Sequence, residues 1–295
     1  MNVISFGEIL WDIIEGTPYI GGAPFNFAAH LSQCGAEVAM ISRLGKDELG
    51  ERALEAVKKL SVDPRYIQWD SDHPTGTVDV FLKNGQPSYT IHPEVAYDYI
   101  AFDPLQAAGL LEAEVEVFGF GTLAQRHPQS QETLARILAA RSFQHVFYDV
   151  NLRKDCYNQE IIQASVPHST VLKLNDEEVP LISDFLFGKK ESMEGFARRV
   201  AEEHELAVVI ITAGAQGCYI FHGGKYELVP GRAVTVVDTV GAGDSFSAAF
   251  MFQYVAHGDP FQAASVANQV GGFVAASRGP IPTYTEEIKS LLGIG

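Results

Sequence analysis

The chain has 295 residues, a 46% share of hydrophobic residues and a formal net charge of −16, which is enough for one large core or a core with a small appendage. The negative charge argues against nucleic acid as a partner, although a local positive site can still hold a small phosphorylated ligand. The three widely spaced cysteines, the lack of an 18-residue apolar run and the lack of a basic leader favour a soluble cytoplasmic protein without disulfides or membrane spans.

Apolar runs and amphipathic stretches alternate along most of the chain. In order, the pattern predicts a strand at 3–6, a helix after Pro24, a strand at 38–42, a helix at 47–60, a strand at 115–118, a helix at 129–140, strands at 145–148 and 207–212, and helices from Phe246 and at 261–276. Such alternation is typical of βαβ units, whose strands form a parallel sheet with helices on both faces. We therefore predict an α/β fold class.

One stretch departs from this alternation. Residues 77–83 and 88–92 read as two strands of a hairpin around the turn Asn84-Gly85. A hairpin needs further strands or a surface to cover, and the segments 13–20 and 97–100 are candidates. We predict a single domain over residues 1–295, with a small antiparallel sheet formed by insertions at about 13–22 and 75–100.

Polar residues follow the first predicted strand. Glu8 and Asp12 lie just beyond its carboxyl end, where open α/β sheets bind ligands. A surface or turn position is the alternative for each acid. The glycine pair that ends at Gly22 permits close approach of a ligand, Pro24 suits a first helical turn, and Asn26 offers an amide that can donate and accept. These groups suit a polyol.

Arg153 ends the segment Asp149-Val150-Asn151-Leu152-Arg153, which follows the strand predicted at 145–148. A guanidinium pairs well with phosphoryl oxygens, so Arg153 is a candidate for contact with a phosphate or a sugar. The alternative is a solvated surface arginine.

Asn175 and Glu178 belong to the segment 173–178, and they are spaced like the two side chains of a capping box. Their oxygen atoms also suit Mg2+, which keeps several waters when bound to protein. We expect any magnesium contact here to pass through water, without a dedicated metal cage.

An apolar strand at 210–212 opens into a turn that contains Gly214 and Gly217. Glycines after strands usually make turns, so the residues alone are a weak functional signal. Further on, the pair Gly279-Pro280 follows the helix predicted at 261–276 and is expected to stop it.

The strongest motif is the stretch from Asp238 to Phe246, in which glycines precede a helix. The first N–H groups of a helix are unpaired and attract anions, and glycines let a phosphate approach that backbone. Asp244 would be an ordinary first-turn acid on its position alone, but beside a phosphate site it can accept a hydroxyl proton. The pattern differs from a P-loop and from a dinucleotide-binding fingerprint. It predicts kinase chemistry.

Two signatures resemble those of the ribokinase-like (PfkB-type) carbohydrate kinases. One is Asp238-Thr239-Val240-Gly241-Ala242-Gly243-Asp244 with the small residues Ala248 and Ala249 after it. The other comprises Gly21 to Asn26, Gly35 and the stretch 42–50, near the start of the chain. The Gly-Gly-Ala-Pro sequence followed by Asn26 is more like fructokinases, whereas ribokinases usually carry Lys at the position of Ala23. Val150 departs from the family pattern, which has proline there.

The resemblance implies a three-layer α/β/α domain with a small β lid over the sugar, which is often also the dimer contact. It implies ATP-dependent phosphorylation of a sugar primary hydroxyl, with D-fructose converted to D-fructose 6-phosphate as the first choice. A kinase for another small sugar, a sugar acid or a nucleoside is an alternative, and so is a non-catalytic nucleotide-binding regulator.

The same resemblance implies roles for individual residues. Asp244 would be the base. The residues around the transferred phosphoryl group would be Gly241, Ala242, Gly243 and Arg153. The sugar would be held by Asp12, Gly22, Asn26, Asn151 and Asp244. ATP would be held by Lys173, Asn175, Thr212, Gly214, Gly217, Gly241, Gly243 and Asn268. Mg2+ would be organised through water by Asn175 and Glu178, and in several family members a loop like that of Asp238 binds K+.

Overall fold

The computed structural model describes residues 1–83 and 86–294 and alternates strands with helices. The strands are β1 (Asn2–Phe6), β2 (Leu10–Ile14), β3 (Thr17–Gly21), β4 (Glu37–Gly45), β5 (Ile67–Asp70), β6 (Gly76–Lys83), β7 (Gln86–Ile91), β8 (Val117–Gly121), β9 (His145–Asp149), β10 (Val171–Asn175), β11 (Val208–Thr212), β12 (Gly217–His222) and β13 (Lys225–Pro230). The helices are α1 (Ala23–Gln33), α2 (Glu48–Lys59), α3 (Phe102–Ala107), α4 (Pro128–Ala140), α5 (Gln159–Ser165), α6 (Val179–Phe187), α7 (Met193–His204), α8 (Ala242–His257), α9 (Pro260–Ala275) and α10 (Glu286–Leu292).

A nine-stranded sheet forms the centre of the fold, in the order β13-β12-β11-β10-β9-β8-β1-β4-β5. Neighbours from β11 to β5 are parallel, and β12 and β13 add two antiparallel pairings at one edge. The chain leaves β1 toward β4 on one side and later returns to β8 on the other. Strand order therefore reverses between β1 and β8, and such a reversal opens a crevice at the carboxyl ends of the strands.

Helices pack on both faces of this sheet and form two apolar cores. One core includes Phe25 of α1 with Phe250 of α8, and the other includes Leu134 of α4 with Phe196 of α7. Parallel strands need cover on both faces because their side chains are apolar on both. The predicted α/β fold, with a mostly parallel sheet between two helical layers, is confirmed.

Helix ends follow the local chemistry closely. Asp47 caps α2, since its Oδ1 accepts a hydrogen bond from the N–H of Gly50 at 2.7 Å. The helix predicted at 261–276 is α9, which ends at Ala275, one residue before the predicted end and shortly before Gly279-Pro280. The carbonyl of Ala275 accepts the N–H groups of Val237 and Asp238.

A second, small sheet has the order β3-β2-β6-β7. It contains two antiparallel hairpins joined by one parallel pairing between β2 and β6. The hairpin predicted at 77–92 therefore forms, although its Asn84-Gly85 turn lies outside the described residues. The division into one domain with insertions at about 13–22 and 75–100 stays a prediction.

The segment 97–100, offered as a strand for this sheet, is instead a short 3-10 helix at Ala96–Tyr99. Asp98 explains the difference, because its carboxylate accepts Arg126 through both oxygens at 2.8 Å and also accepts the N–H of Val95 at 3.2 Å. These bonds hold the backbone in a turn. In the part of the chain that is described, no helix combines the length and apolar character needed to cross a membrane.

Candidate functional site

A cleft lies at the carboxyl ends of the central parallel strands, beside the reversal in strand order. Its lining includes Glu8 after β1, Pro24 at the start of α1, and Asp149, Asn151 and Arg153 at and after the end of β9. This is where an open α/β sheet is expected to bind its ligand. The segments singled out after the first strand and after β9 thus meet in one place.

Asn26 and Asp244 are in direct contact, although 218 residues separate them in the chain. The Nδ2 of Asn26, on α1, donates to Oδ2 of Asp244, in the first turn of α8, at 2.8 Å. Burial raises the pKa of Asp244, and the hydrogen bond from Asn26 opposes that rise. The two sequence signatures therefore meet at a carboxyl group that is more basic than an exposed aspartate.

The N-terminus of α8 is open to an approaching anion. Gly241 precedes it with φ +79°, and a Cβ there would lie 2.5 Å from the carbonyl oxygen of Pro280, so only glycine fits. A Cβ on Gly243 would have only Nζ of Lys173 near it, at 3.8 Å, so the space above this residue is open. The N–H of Ala242 donates to the carbonyl of Thr239 at 3.3 Å, a long hydrogen bond. The helix dipole and the lysine ammonium together favour a phosphate at this point.

Lys173 is buried in β10 and forms an ion pair beneath α8. Its Nζ lies 2.7 Å from Oδ2 of Asp149, its register partner on β9. The hydroxyl of Ser247 donates to the same oxygen at 3.3 Å, whereas Oδ1 of Asp149 is buried without a partner among the described residues. Asp149 and Ser247 were missed as site residues. The available signal was a lysine inside an apolar strand, which requires a buried partner.

Arg153 lies among acidic groups. Its charge lowers the pKa values of Glu8, Asp12 and Asp244, in each case against a larger upward effect of burial. The net result is a pKa of about 7 for Glu8 and about 6 for Asp12. Arg153 is exposed, and its charge acts on all three carboxyls from the loop after β9.

Gly22 has a backbone conformation that favours glycine. Its φ is +108°, and a Cβ would lie 2.5 Å from the carbonyl oxygen of Glu8. The carboxylate of Asp12 packs against Gly21, the residue before Gly22. A Cβ on Gly21 would lie 2.6 Å from Oδ2 of Asp12. Both glycines therefore let acidic residues pack directly against the backbone before α1.

Asn175 and Glu178 form the reciprocal pair of a capping box. Oδ1 of Asn175 accepts the N–H of Glu178 at 2.9 Å, and Oε2 of Glu178 accepts the N–H of Asn175 at 2.8 Å. Oε1 of Glu178 accepts the N–H of Leu152 at 2.6 Å. Both oxygens of Glu178 are engaged, so they fit contact with Mg2+ through water better than direct coordination. The described residues contain no group of three or more His, Cys, Asp or Glu that could hold a metal ion.

The other residues assigned to ATP lie on β11, on β12, in the 3-10 turn between these strands and on α9, and two of them have clear structural roles. A Cβ on Gly217 would lie 2.2 Å from the carbonyl oxygen of Val229, so the approach of β13 requires glycine. Nδ2 of Asn268 donates to the carbonyls of Val229 and Pro230, at 3.0 and 3.2 Å. Thr212 ends β11, and a Cβ on Gly214 would meet nothing within 4 Å. Their contact with a nucleotide stays a prediction.

The loop of Asp238 is folded onto itself and onto α9. Oδ1 of Asp238 accepts the N–H of Val240 at 3.0 Å, and its own N–H donates to the carbonyl of Ala275. This arrangement positions the glycines that follow. Binding of K+ by the loop stays a prediction.

Known proteins resemble this chain over most of its length. The model of the pfkB family carbohydrate kinases matches residues 6–287. An uncharacterized sugar kinase of Pyrococcus horikoshii is 30% identical over 266 residues, which cover 84% of this chain and 81% of that protein. A fructokinase of Klebsiella pneumoniae is 28% identical over 257 residues, which cover 84% of this chain and 80% of the fructokinase.

Solved structures agree with the fold. The Pyrococcus horikoshii protein in complex with ATP matches with a TM-score of 0.83 at 26% identity, over 98% of this chain and 99% of that one. An aminoimidazole riboside kinase from Salmonella enterica, complexed with aminoimidazole riboside and an ATP analog, matches with a TM-score of 0.83 over 99% of this chain and 100% of that one. At 21% identity, the latter likeness shows the fold alone.

Proposed function

Because this chain belongs to the pfkB family of carbohydrate kinases, we propose that it transfers the γ-phosphoryl group of ATP to a primary hydroxyl of a sugar. The observation that carries the proposal is the 2.8 Å hydrogen bond between Asn26 and Asp244. It joins the segment suited to a polyol to the segment suited to a phosphate. A sugar hydroxyl held beside Asp244 would face the anion site at the start of α8.

In the proposed mechanism, Asp244 accepts the proton of the sugar hydroxyl as that oxygen attacks the γ-phosphorus in line. Asn26 occupies Oδ2 of Asp244 and holds the carboxyl group in place. The N–H groups of Gly241, Ala242 and Gly243 stabilise the charge on the transferred phosphoryl group, and Arg153 adds a guanidinium from the loop after β9. Because these groups are already in position, little reorganisation is needed during the reaction.

The nucleotide would lie between the start of α8 and the end of β11. Lys173 would act on its phosphates from beneath Gly243, where its ammonium is oriented by Asp149. Thr212, Gly214, Gly217 and Asn268 would border the nucleoside. Mg2+, carried with ATP, would neutralise phosphate charge, and Asn175 and Glu178 would orient its waters. K+ bound at the Asp238 loop is a further proposal, since that loop adjoins the helix start.

D-fructose, giving D-fructose 6-phosphate, is our first choice of substrate. The Gly-Gly-Ala-Pro sequence before Asn26 supports it, as does the similarity to proteins named fructokinases. Asp12, Gly22, Asn26 and Asn151 would hold the sugar. Discrimination between sugars depends on a few hydrogen bonds, so another small sugar, a sugar acid or a nucleoside is the competing acceptor class.

The test is release of ADP with MgATP and a panel of D-fructose, ribose, glucose, tagatose, ketodeoxygluconate and adenosine. We expect D-fructose to have the highest kcat/KM by at least an order of magnitude. If another acceptor is preferred, the proposed kinase activity stands and D-fructose is rejected as the substrate. No turnover of any acceptor would refute the proposed activity and favour a nucleotide-binding regulator.

We further propose a cytoplasmic enzyme that dimerises through the small sheet. Exposed apolar side chains on that sheet support the proposal, because large exposed apolar residues often mark an interface. Light scattering of the purified protein tests it. A monomer at micromolar concentration would contradict the dimer.

A further inference from the structure

Glu8 is a buried acid whose hydrogen bonding is incomplete. It follows β1, and only 4% of its surface is exposed. Oε2 of Glu8 is buried and has no hydrogen-bond partner within residues 1–83 and 86–294. An unpaired buried polar atom is costly, and native proteins rarely keep one without a use.

The surroundings of Glu8 indicate that this use is a ligand. Glu8 lines the cleft together with Asn151 and Arg153. The backbone of Gly22 packs against it so closely that no side chain fits between them. The carboxyl group is therefore held at the wall of the cleft, within the segment assigned to the sugar.

Asp12, Asn26 and Asp244 offer a sugar acceptor atoms, whereas the donors at the cleft, Asn151 and Arg153, both lie on the loop after β9. Ionised Asp12 and Asp244 can only accept hydrogen bonds, and the buried Oδ1 of Asn26, which has no partner in the described part of the chain, is also an acceptor. These atoms suit sugar hydroxyls, which donate. Every sugar also has an oxygen without hydrogen, in its ring or its carbonyl group, and this oxygen requires a donor.

We propose, on the basis of the proposed function, that Glu8 is a further substrate-binding residue that donates a hydrogen bond from a protonated Oε2 to an oxygen of the acceptor that carries no hydrogen. We place the proton on Oε2 because this oxygen is the one that is buried without a partner among the described residues. Glu8 therefore recognises the acceptor and takes no part in the transfer of the proton from the reacting hydroxyl.

The protonation state of Glu8 follows from the groups that face it. Burial is the largest influence and raises its pKa to about 7. Arg153, from the loop after β9, lowers that pKa, and Asp244, on α8, raises it. Tyr97 faces it from the 3-10 helix and is neutral, since burial raises its pKa well above 10. Glu8 thus holds its proton below about pH 7 and loses it, with the donor, as the pH rises.

The test compares wild type with Glu8→Gln, because a glutamine amide donates at every pH. Glu55→Gln, on the exposed face of α2, is the matched control for the loss of one carboxyl group. kcat/KM for the best acceptor of the panel, beginning with D-fructose, is measured from pH 6 to pH 8.5 at saturating MgATP. Thermal melting confirms that each variant is folded.

We expect kcat/KM of wild type and Glu55→Gln to fall about tenfold between pH 6 and pH 8.5, the scale of one hydrogen bond of about 1.4 kcal/mol. Glu8→Gln should match wild type at pH 6 and should show no fall up to pH 8.5. Glu8→Ala should raise KM for the acceptor at pH 6 and leave kcat within a few-fold.

Two results would overturn the inference. One is an alkaline fall in Glu8→Gln equal to that of wild type, and the other is a loss of more than tenfold in Glu8→Gln at pH 6. Either result in an active enzyme removes the role of Glu8 and leaves the proposed kinase activity intact. A wild-type protein that phosphorylates no acceptor refutes the proposed function, and the role of Glu8 falls with it.

Discussion

Asp244 has the environment of a general base. Burial raises its pKa, while Asn26, Lys173 and Arg153 lower it. A carboxyl group whose pKa is raised in this way is a better proton acceptor than an exposed aspartate. The nearby helix N-terminus provides the complementary site for the developing negative charge.

Replacement of Asp244 tests its role directly. We expect Asp244→Asn to stay folded, because asparagine keeps the shape and can still bond to Asn26, and to lose on the order of 100-fold or more in kcat. Asp103→Asn, an exposed acid paired with Arg136, is the matched control and should be unchanged. Steady-state kinetics and a thermal melt provide the measurement. Near-native turnover of Asp244→Asn would remove it from the mechanism.

Asn26 tunes Asp244, so its loss should appear in the pH profile. The hydrogen bond from Nδ2 favours the ionised carboxylate and lowers the pKa of Asp244. In Asn26→Ala we expect the pKa of Asp244 to rise. Because the base must be ionised, the acid limb of the pH profile of kcat should then move to higher pH. Gln33→Ala, at the far end of α1, should leave the limb in place. An unmoved limb in an active Asn26→Ala variant would show that the bond does not tune the base.

At the scale of elements, the small sheet presents an apolar face on the side of Asp12. By register, Asp12 is opposite Tyr19, and Ile14 and Tyr89 are both opposite Val80, so their side chains share that face. Ile14, Tyr19 and Tyr89 are 42%, 50% and 57% exposed. If the small sheet covers the sugar, as we propose, apolar side chains beside Asp12 are suited to exclude water from it.

Deletion of residues 77–92, with a short glycine linker, should therefore raise KM for the sugar and allow ATP hydrolysis without an acceptor. The deletion removes β6 and β7 and leaves the central sheet intact. Affinity for ATP, which would bind between the start of α8 and β11, serves as the internal control. Unchanged sugar affinity would show that the small sheet is not a lid.

Single substitutions on the small sheet test the same lid hypothesis with less disturbance of the fold than the deletion. Tyr89→Ser should raise KM for the sugar several-fold, whereas Leu228→Ser, a comparable change of an exposed apolar residue on β13, should not. Equal effects of the two substitutions would indicate a general loss of stability.

At the scale of the whole molecule, His30 joins α1 to the C-terminal segment that supports α8. Its Nε2 lies 2.8 Å from the carbonyl oxygen of Pro280, and its Nδ1 lies 2.8 Å from the hydroxyl of Tyr284. A carbonyl can only accept, so Nε2 carries the proton and Tyr284 donates to Nδ1. The same Pro280 oxygen abuts Gly241. A neutral His30 thus connects α1, which carries Asn26, to Gly241 at the start of α8.

This connection predicts a loss of stability in acid. Burial lowers the pKa of His30 to about 4, against about 6.5 when unfolded, so between these values the unfolded chain binds the extra proton. The contribution of His30 to the free energy of unfolding is complete above pH 6.5. It should fall by about 2 kcal/mol between pH 7 and pH 5. Urea denaturation of wild type and His30→Gln at both pH values measures it. A wild-type loss no larger than that of the variant would contradict the prediction.

Much of the fold could be predicted because its signals are local. Apolar periodicity placed α2, α4, α8 and α9 within a few residues, and a hairpin pattern identified β6 and β7. The prediction of a strand at 97–100 was wrong. The ion pair between Asp98 and Arg126, 28 residues apart, overrides strand propensity there. A long-range ionic contact of this kind leaves no periodic trace in the sequence.

The sequence by itself determined the class of chemistry, since glycines at a helix start followed by an acid specify an anion site beside a proton acceptor wherever the helix lies. Only the tertiary structure decided which groups share that site. It paired Asn26 with Asp244 and Lys173 with Asp149, and it left Oε2 of Glu8 without a partner among the described residues at the cleft. The physical reason is that these contacts, and the burial that shifts the pKa values, arise when distant strand ends converge at one edge of the sheet.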